Sequence, residues 1–353
     1  MDRRGFLGGL AVGALAGPAL AVATPRRWDI IVDRRGGAGT VGTLGEALRR
    51  AEAAGGRPVS ILLRAGLWRE KQTITVPNLT LAGAGPETVI AFDAHAGGSG
   101  PEGRPWGTSG SATLAIAAPG VTLRDLTIRN DFDYIGTRRD AAGNGAQAVA
   151  LRIDATADRT QVRNCRIEGY QDTLYIQSRA HLAHCRVAGG VDFIFGGGAA
   201  WIERCSIVTR HVPGAVESGF IAAPSTPADQ THGLVFADCR LEHEPGVPER
   251  SAWLGRPWRA GGNMALTGHA VFLRCWMDAH IQHAGWTSMG YKAPDGSRTM
   301  LTPQEARLFE FASRGPGAGP AGPTRRMLTV DEARSLTRAS VLGDWAGGGQ
   351  RPS

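Results

Sequence analysis

The sequence predicts an all-β protein, a single-domain parallel β-helix with short capping helices at its ends, and three features of the chain carry that reading. The first is an internal repeat of the form apolar-x-x-apolar-x-apolar. It runs through Leu123, Leu126 and Ile128, then Val162, Cys165 and Ile167, then Leu182, Cys185 and Val187. Ile202, Cys205 and Ile207 continue it, followed by Phe236, Cys239 and Leu241 and by Phe272, Cys275 and Met277. The second is that all 5 cysteines occupy one slot of this unit. A solenoid explains this, because each repeat hands the same inward position to a continuous core. The third is period and composition. Cys165, Cys185 and Cys205 lie 20 residues apart, too short for a helical pair, and the chain's 50 glycines break it into short segments suited to strands. The spacing then widens to 34 and 36 residues, which predicts loops inserted on one side.

Helical signals appear only towards the ends. Thr43 with Glu46, and Thr329 with Glu332, have capping-box spacing. Helices there would cover the open ends of the solenoid. Between the repeats and the second signal, Gly315 to Pro320 reads as an extended linker. Residues 1–23 read as an export signal. Arg3-Arg4 precedes an apolar run from Leu7 to Ala23 that ends in small residues, and the twin arginine resembles a Tat signal, with an ordinary Sec signal as the alternative. Residues 24–353 then form one domain, expected to be secreted or periplasmic, free of the membrane after signal removal, and monomeric.

The net charge of +7 is almost all arginine, since Lys71 and Lys292 are the only lysines. A basic surface attracts polyanions, of which nucleic acid and acidic polysaccharide are two. No basic run is interleaved with aromatics, so nucleic acid is not expected. The stacked cysteines read first as small core-filling thiols. Neighbouring strands are also close enough for Cys185 to bond Cys205, or Cys165 to bond Cys185, in an oxidising compartment. With no CxxC spacing, they do not predict a metal site.

The repeat also places polar residues. Asp172 lies seven residues after Cys165, and Asp192 seven after Cys185. The two therefore share one position on successive turns, roughly 5 Å apart along the backbone. Two carboxylates so close repel, and one pKa should rise, leaving an acid beside an ionised base or nucleophile. Gln147 comes one turn earlier and Gln171 adjoins Asp172; a side-chain amide there can donate to a developing oxyanion. Arg256 comes later and can hold one carboxylate ionised by a two-pronged contact.

Four segments, Gln147–Leu151, Gly169–Tyr175, Val191–Gly196 and Leu254–Trp258, together resemble the signature motifs of the pectin methylesterases, in family order. Weaker likeness extends from about Trp28 to Trp345 and includes Gly107–Thr113 and Val341–Trp345. The resemblance implies a right-handed parallel β-helix and an exported esterase that releases methanol from methylated pectin without metal or cofactor. It assigns Asp192 as nucleophile, Asp172 as proton donor and then acceptor, Gln171 and Gln147 as oxyanion donors, and Arg256 as the partner of Asp192. It further implies that Thr108, Tyr175, Phe195, Trp258 and Met289 line the sugar cleft. The chain departs from the family at Trp68, where tyrosine is usual, and at Arg259-Ala260-Gly261-Gly262, which lacks a side-chain hydroxyl found in some relatives. Three alternatives stay open: an esterase or thioesterase acting on another ester, a retaining glycoside hydrolase using the same paired carboxylates, and a non-catalytic polysaccharide-binding solenoid. A calcium-dependent lyase is disfavoured, because no carboxylates cluster beyond the pair.

Overall fold

The computed structural model describes residues 28–139, 145–292 and 295–345. The export segment expected over residues 1–23 lies outside them. The chain winds into a right-handed parallel β-helix whose strands stack into sheets of eleven, eight and seven strands. Each of the regular coils contributes one strand to each sheet. The 20-residue period appears directly in the pairing: Leu182 aligns with Ile202, Val187 with Ile207, and Leu174 with Ile194. The inward side chains, the cysteines among them, merge into one buried column running through the coils.

The cysteine slot has a local cause. Each coil turns from the eleven-stranded to the eight-stranded sheet through one left-handed residue: Asp125, Asn164, His184, Arg204, Asp238 or Arg274, all with φ between 50° and 58°. A non-glycine residue resists that conformation. The next residue of each corner from Asn164 onward is a cysteine, and its thiol donates back to the carbonyl just ahead of the corner. Cys165 reaches Arg163 O at 3.3 Å, Cys205 reaches Glu203 O at 3.3 Å, and Cys239 reaches Ala237 O at 3.5 Å. The slot thus suits a small, buried, weak donor. All five are free thiols, which bears out the core-filling reading and not the disulfides. Burial pushes the Cys165 and Cys239 thiols well up, so they stay protonated and inert.

The insertions behind the longer periods flank the seven-stranded sheet on both sides, before and after its strands Gly219–Pro224 and Ala252–Gly255. Further connections, residues 93–113 and 145–150, enter the same sheet earlier in the chain. The walls of any site on this face are therefore loops, and its floor is rigid strand.

The ends are closed differently. The helix Leu44–Glu52 buries Leu44, Ala47, Leu48 and Ala51 against the first coil. The Thr43 hydroxyl caps Glu46 N, but Glu46 itself turns to Arg50, and Glu70 satisfies the free amides of Leu44 and Gly45. Trp68, beside Glu70, is buried and donates to Arg64 O at 2.9 Å, a structural role for that departure. At the other terminus Thr329 and Glu332 form the full capping box of the helix Val330–Ser335, and a second helix, Arg338–Leu342, follows. This pair lies along the flank and not over the end: Leu336, Val341 and Leu342 cover Trp201, Val235 and Val271, which point outward from the eleven-stranded sheet. The far end is closed by the glycine- and proline-rich stretch instead. Arg325 is buried there, pairs with Glu310 through both carboxylate oxygens, and donates to the carbonyls of Gln282, His283 and Gly317. The stretch expected to be a linker is pinned because a buried guanidinium must have all its donors met.

Breaking a buried ion pair from one side leaves the other charge uncompensated. Arg325→Ala is expected to lower the unfolding free energy by about 3–5 kcal/mol in denaturant titrations. A loss below about 1 kcal/mol would show that this clasp does not hold the end closed.

Candidate active site

The site forms on the outer face of the seven-stranded sheet. Its centre follows from register. Gln171 bridges to Val191, Leu174 pairs with Ile194, and Tyr175 with Phe195. Asp172 and Asp192 are therefore direct neighbours on adjacent coils, one strand spacing of about 4.8 Å apart. Both take left-handed backbone conformations, with φ of 62° and 48°. A pair of aspartates in this sparsely occupied region marks strain held in place by the stacked coils around it. The Asp172 amide donates to Val191 O at 3.0 Å, locking its turn onto the next coil.

The later insertion delivers Arg256. Gly255 pairs with Ala222 so closely that a side chain on it would collide with the Ala222 carbonyl. Its lack of a side chain lets the chain turn there, and Arg256 N binds the same carbonyl at 3.0 Å. The guanidinium then meets Asp192 with two parallel bonds, Nε to Oδ1 at 2.9 Å and Nη2 to Oδ2 at 2.7 Å. Below it lies the ring of Phe220, 3.9 Å from the guanidinium carbon. Stacking and two-pronged pairing together fix the guanidinium plane.

Electrostatics separates the two acids. Burial pushes the Asp172 carboxyl well above its ordinary range, and the neighbouring Asp192 charge pushes it further, with Arg256 opposing from a distance. Burial raises Asp192 as well, but its direct bonds to Arg256 oppose the shift. Asp192 therefore ionises first and Asp172 keeps its proton. The cause of the difference is geometric: one carboxylate holds the arginine and the other does not.

Around this centre is a cleft of about 480 Å³. All ten residues singled out from the sequence line it: Gln147, Gln171, Asp172, Asp192 and Arg256 at its centre, with Thr108, Tyr175, Phe195, Trp258 and Met289 around them. The Ala148 amide binds Gln171 O at 3.1 Å, so Gln147 enters from the adjacent coil beside Gln171. Tyr175 and Phe195, partners in register, stack with centroids 4.2 Å apart, and Trp258 meets Phe195 edge-on at 5.7 Å. Phe195 is only 2% exposed and packs on Val149 and Ala223, so it floors the cleft while Tyr175 and Trp258 offer it their faces. Sequence reasoning missed Ser109, Ala223 and Ala260 in the lining and Phe220 beneath Arg256. No motif marks a contact that arises only when a loop folds over another coil's strand.

Comparison with known proteins agrees with this geometry. A sequence model of the family described as Pectinesterase matches residues 29–322. Pectinesterase A of Dickeya chrysanthemi is 37% identical over 325 residues, covering 87% of this chain and 88% of its own. Among solved structures, pectin methylesterase from Yersinia enterocolitica superposes with a TM-score of 0.82 at 37% identity, over 87% of this chain and 100% of its own. A pectin methylesterase in complex with a hexasaccharide gives a TM-score of 0.85 at 36% identity, over 93% and 99%.

The Asp172 shift has a consequence for stability. Its folded pKa lies above the unfolded value, so its contribution is complete below about pH 4 and is lost as pH rises through the folded value. Asp172→Asn removes that ionisation. The variant is expected to melt higher than the wild type at pH 8, by roughly 1–2 °C for each kcal/mol relieved, and nearly level with it at pH 4. Parallel melting curves across that range would contradict the shift.

Proposed function

The chain belongs to the pectinesterase family and hydrolyses the methyl esters of pectin, and we propose that it does so through a covalent acyl-enzyme on Asp192. One observation carries this reading: two register-matched carboxylates share a cleft, and only one of them holds an arginine. Arg256 keeps Asp192 ionised and turns one oxygen towards the ester carbonyl. Attack by that oxygen makes a tetrahedral intermediate, and the side-chain amides of Gln171 and Gln147 donate to its oxyanion. Preorganised donors of this kind are each worth roughly 10²–10³ in rate. As the carbon–oxygen bond to the methoxy group breaks, Asp172 passes its proton to the leaving oxygen and methanol departs. The resulting Asp172 carboxylate takes a proton from water, and the hydroxide formed attacks the acyl-enzyme carbonyl. Collapse releases the galacturonate carboxyl and frees Asp192, while Asp172 is again protonated.

The surrounding cleft supports a sugar polymer as substrate. Tyr175 and Trp258, over the buried Phe195, give flat apolar surfaces suited to pyranose faces, and the relatives include a pectin methylesterase in complex with a hexasaccharide. We place the protein outside the cytoplasm, as one domain over residues 24–353 acting as a monomer. The placement outside the cytoplasm rests on the twin-arginine apolar leader. Among the described residues no helix is long and apolar enough to cross a membrane.

Methanol release from highly methylated pectin, without new reducing ends, is the expected activity of the mature protein. Asp192→Ala should abolish it while leaving the protein folded; substantial residual turnover would remove Asp192 from the nucleophile's role. The pH profile should be bell-shaped, rising as Asp192 ionises and falling as Asp172 loses its proton. In Arg256→Lys the two-pronged opposition to burial is gone, the Asp192 pKa rises, and the acid limb moves to higher pH. An unmoved acid limb would contradict the assignment of that limb to Asp192.

A further inference from the structure

Beyond Trp258 the chain makes a short turn, Ala260–Gly262, with Gly261 and Gly262 at positive φ of 62° and 71°. This turn forms one rim of the cleft, and its backbone is tied down where Ala260 N binds Ser225 Oγ at 3.0 Å. It carries no side-chain hydroxyl of its own. Facing it is a hairpin of two antiparallel strands, Met289–Lys292 and Arg298–Leu301, which stands apart from the three sheets of the solenoid. Met289 lies at the base of this hairpin and lines the cleft. Tyr291 is two residues further along the same strand and therefore on the same side.

Tyr291 meets the turn at Gly262. A methyl group on Gly262 would overlap the phenol oxygen and the ring carbon that bears it. Only a residue without a side chain lets the phenol settle there. The phenol is half-buried, and among the described residues its hydroxyl makes no hydrogen bond. A half-buried hydroxyl that meets no protein group can take its partner from a ligand. A rim position between two cleft-lining residues, Ala260 and Met289, offers that partner from outside the protein.

We propose that Tyr291 is a substrate-binding residue. Its hydroxyl hydrogen-bonds a hydroxyl or carboxyl oxygen of the polygalacturonate chain as it leaves the cleft past Trp258, forming an outer subsite specific to chains long enough to reach it. The inference rests on the pectin methylesterase reading. It concerns polymer binding only; the chemistry stays with Asp192 and Asp172. Because the contact is the same in ground and transition states, it should appear in KM and leave kcat alone.

The test compares wild type and Tyr291→Phe on methyl-esterified oligogalacturonides of increasing length and on highly methylated pectin, reading methanol release. The phenylalanine keeps the ring seated on Gly262 and removes one oxygen. The expected result is an unchanged kcat and an unchanged melting temperature. KM should rise roughly three- to tenfold on pectin and long oligomers, as loss of one hydrogen bond implies, with little change on the shortest substrates. A KM equal to that of the wild type at every length overturns the proposal, as does a loss that falls equally on short and long chains. If Tyr291 only holds the hairpin to the turn, Tyr291→Phe is silent and Tyr291→Ala alone lowers the melting temperature, which also overturns it. Failure of the wild type to release methanol from any of these substrates would count against the esterase reading and not against this subsite alone.

Discussion

Parallel strands pair residue for residue, so a coil of 20 residues returns each side chain to a point one strand spacing above its counterpart. That constraint underlies everything else in this molecule. Inside, it stacks cysteine on cysteine and leucine on isoleucine into one dry column. On the outer face of the seven-stranded sheet, it sets Tyr175 over Phe195 and Asp172 beside Asp192. Two acids are not brought together by a specialised loop; they recur because the backbone recurs. The strained left-handed conformation at both aspartates belongs to the same logic, since the coils above and below fix it.

Repetition alone would give two equivalent carboxylates, and equivalence is useless for acid–base chemistry. The asymmetry enters from outside the repeat. Arg256 arrives on the long connection after the strand Ala252–Gly255, binds Asp192 with two bonds, and rests on Phe220. Asp172 is left buried, facing a negative neighbour, and holds its proton. Which carboxyl keeps its proton is thus set by which one the insertion reaches. The same arrangement places strain and an unfavourable ionisation at the site, which the remaining coils stabilise through ordinary core packing.

The cleft follows a similar plan. Strands supply a rigid aromatic floor, and the irregular connections between them supply walls: residues 93–113 bring Thr108, residues 145–150 bring Gln147, and the hairpin brings Met289. Positions on the floor are held by register, whereas positions on the walls depend on contacts such as Tyr291 against Gly262. Variation in substrate preference among relatives of this fold is accordingly expected in the walls.

The sequence by itself determined the repeat and all that depends on periodicity. Cysteines at one interval reveal the coil length, and two aspartates at a constant offset from two of them reveal a shared pocket, because a parallel solenoid turns equal spacing into vertical alignment. Its motifs also named the arginine, the two glutamines and the aromatic residues that the cleft contains. Tertiary structure alone decided what lies outside that period. Only the folded chain shows that the C-terminal helices cover the flank and that a buried Arg325–Glu310 pair closes the end. Only it shows Phe220 beneath the Arg256 guanidinium and a hairpin tyrosine seated on a distant glycine. These contacts join segments with no common spacing, and their partners are chosen by shape and by the need to satisfy buried charge, which no linear pattern records.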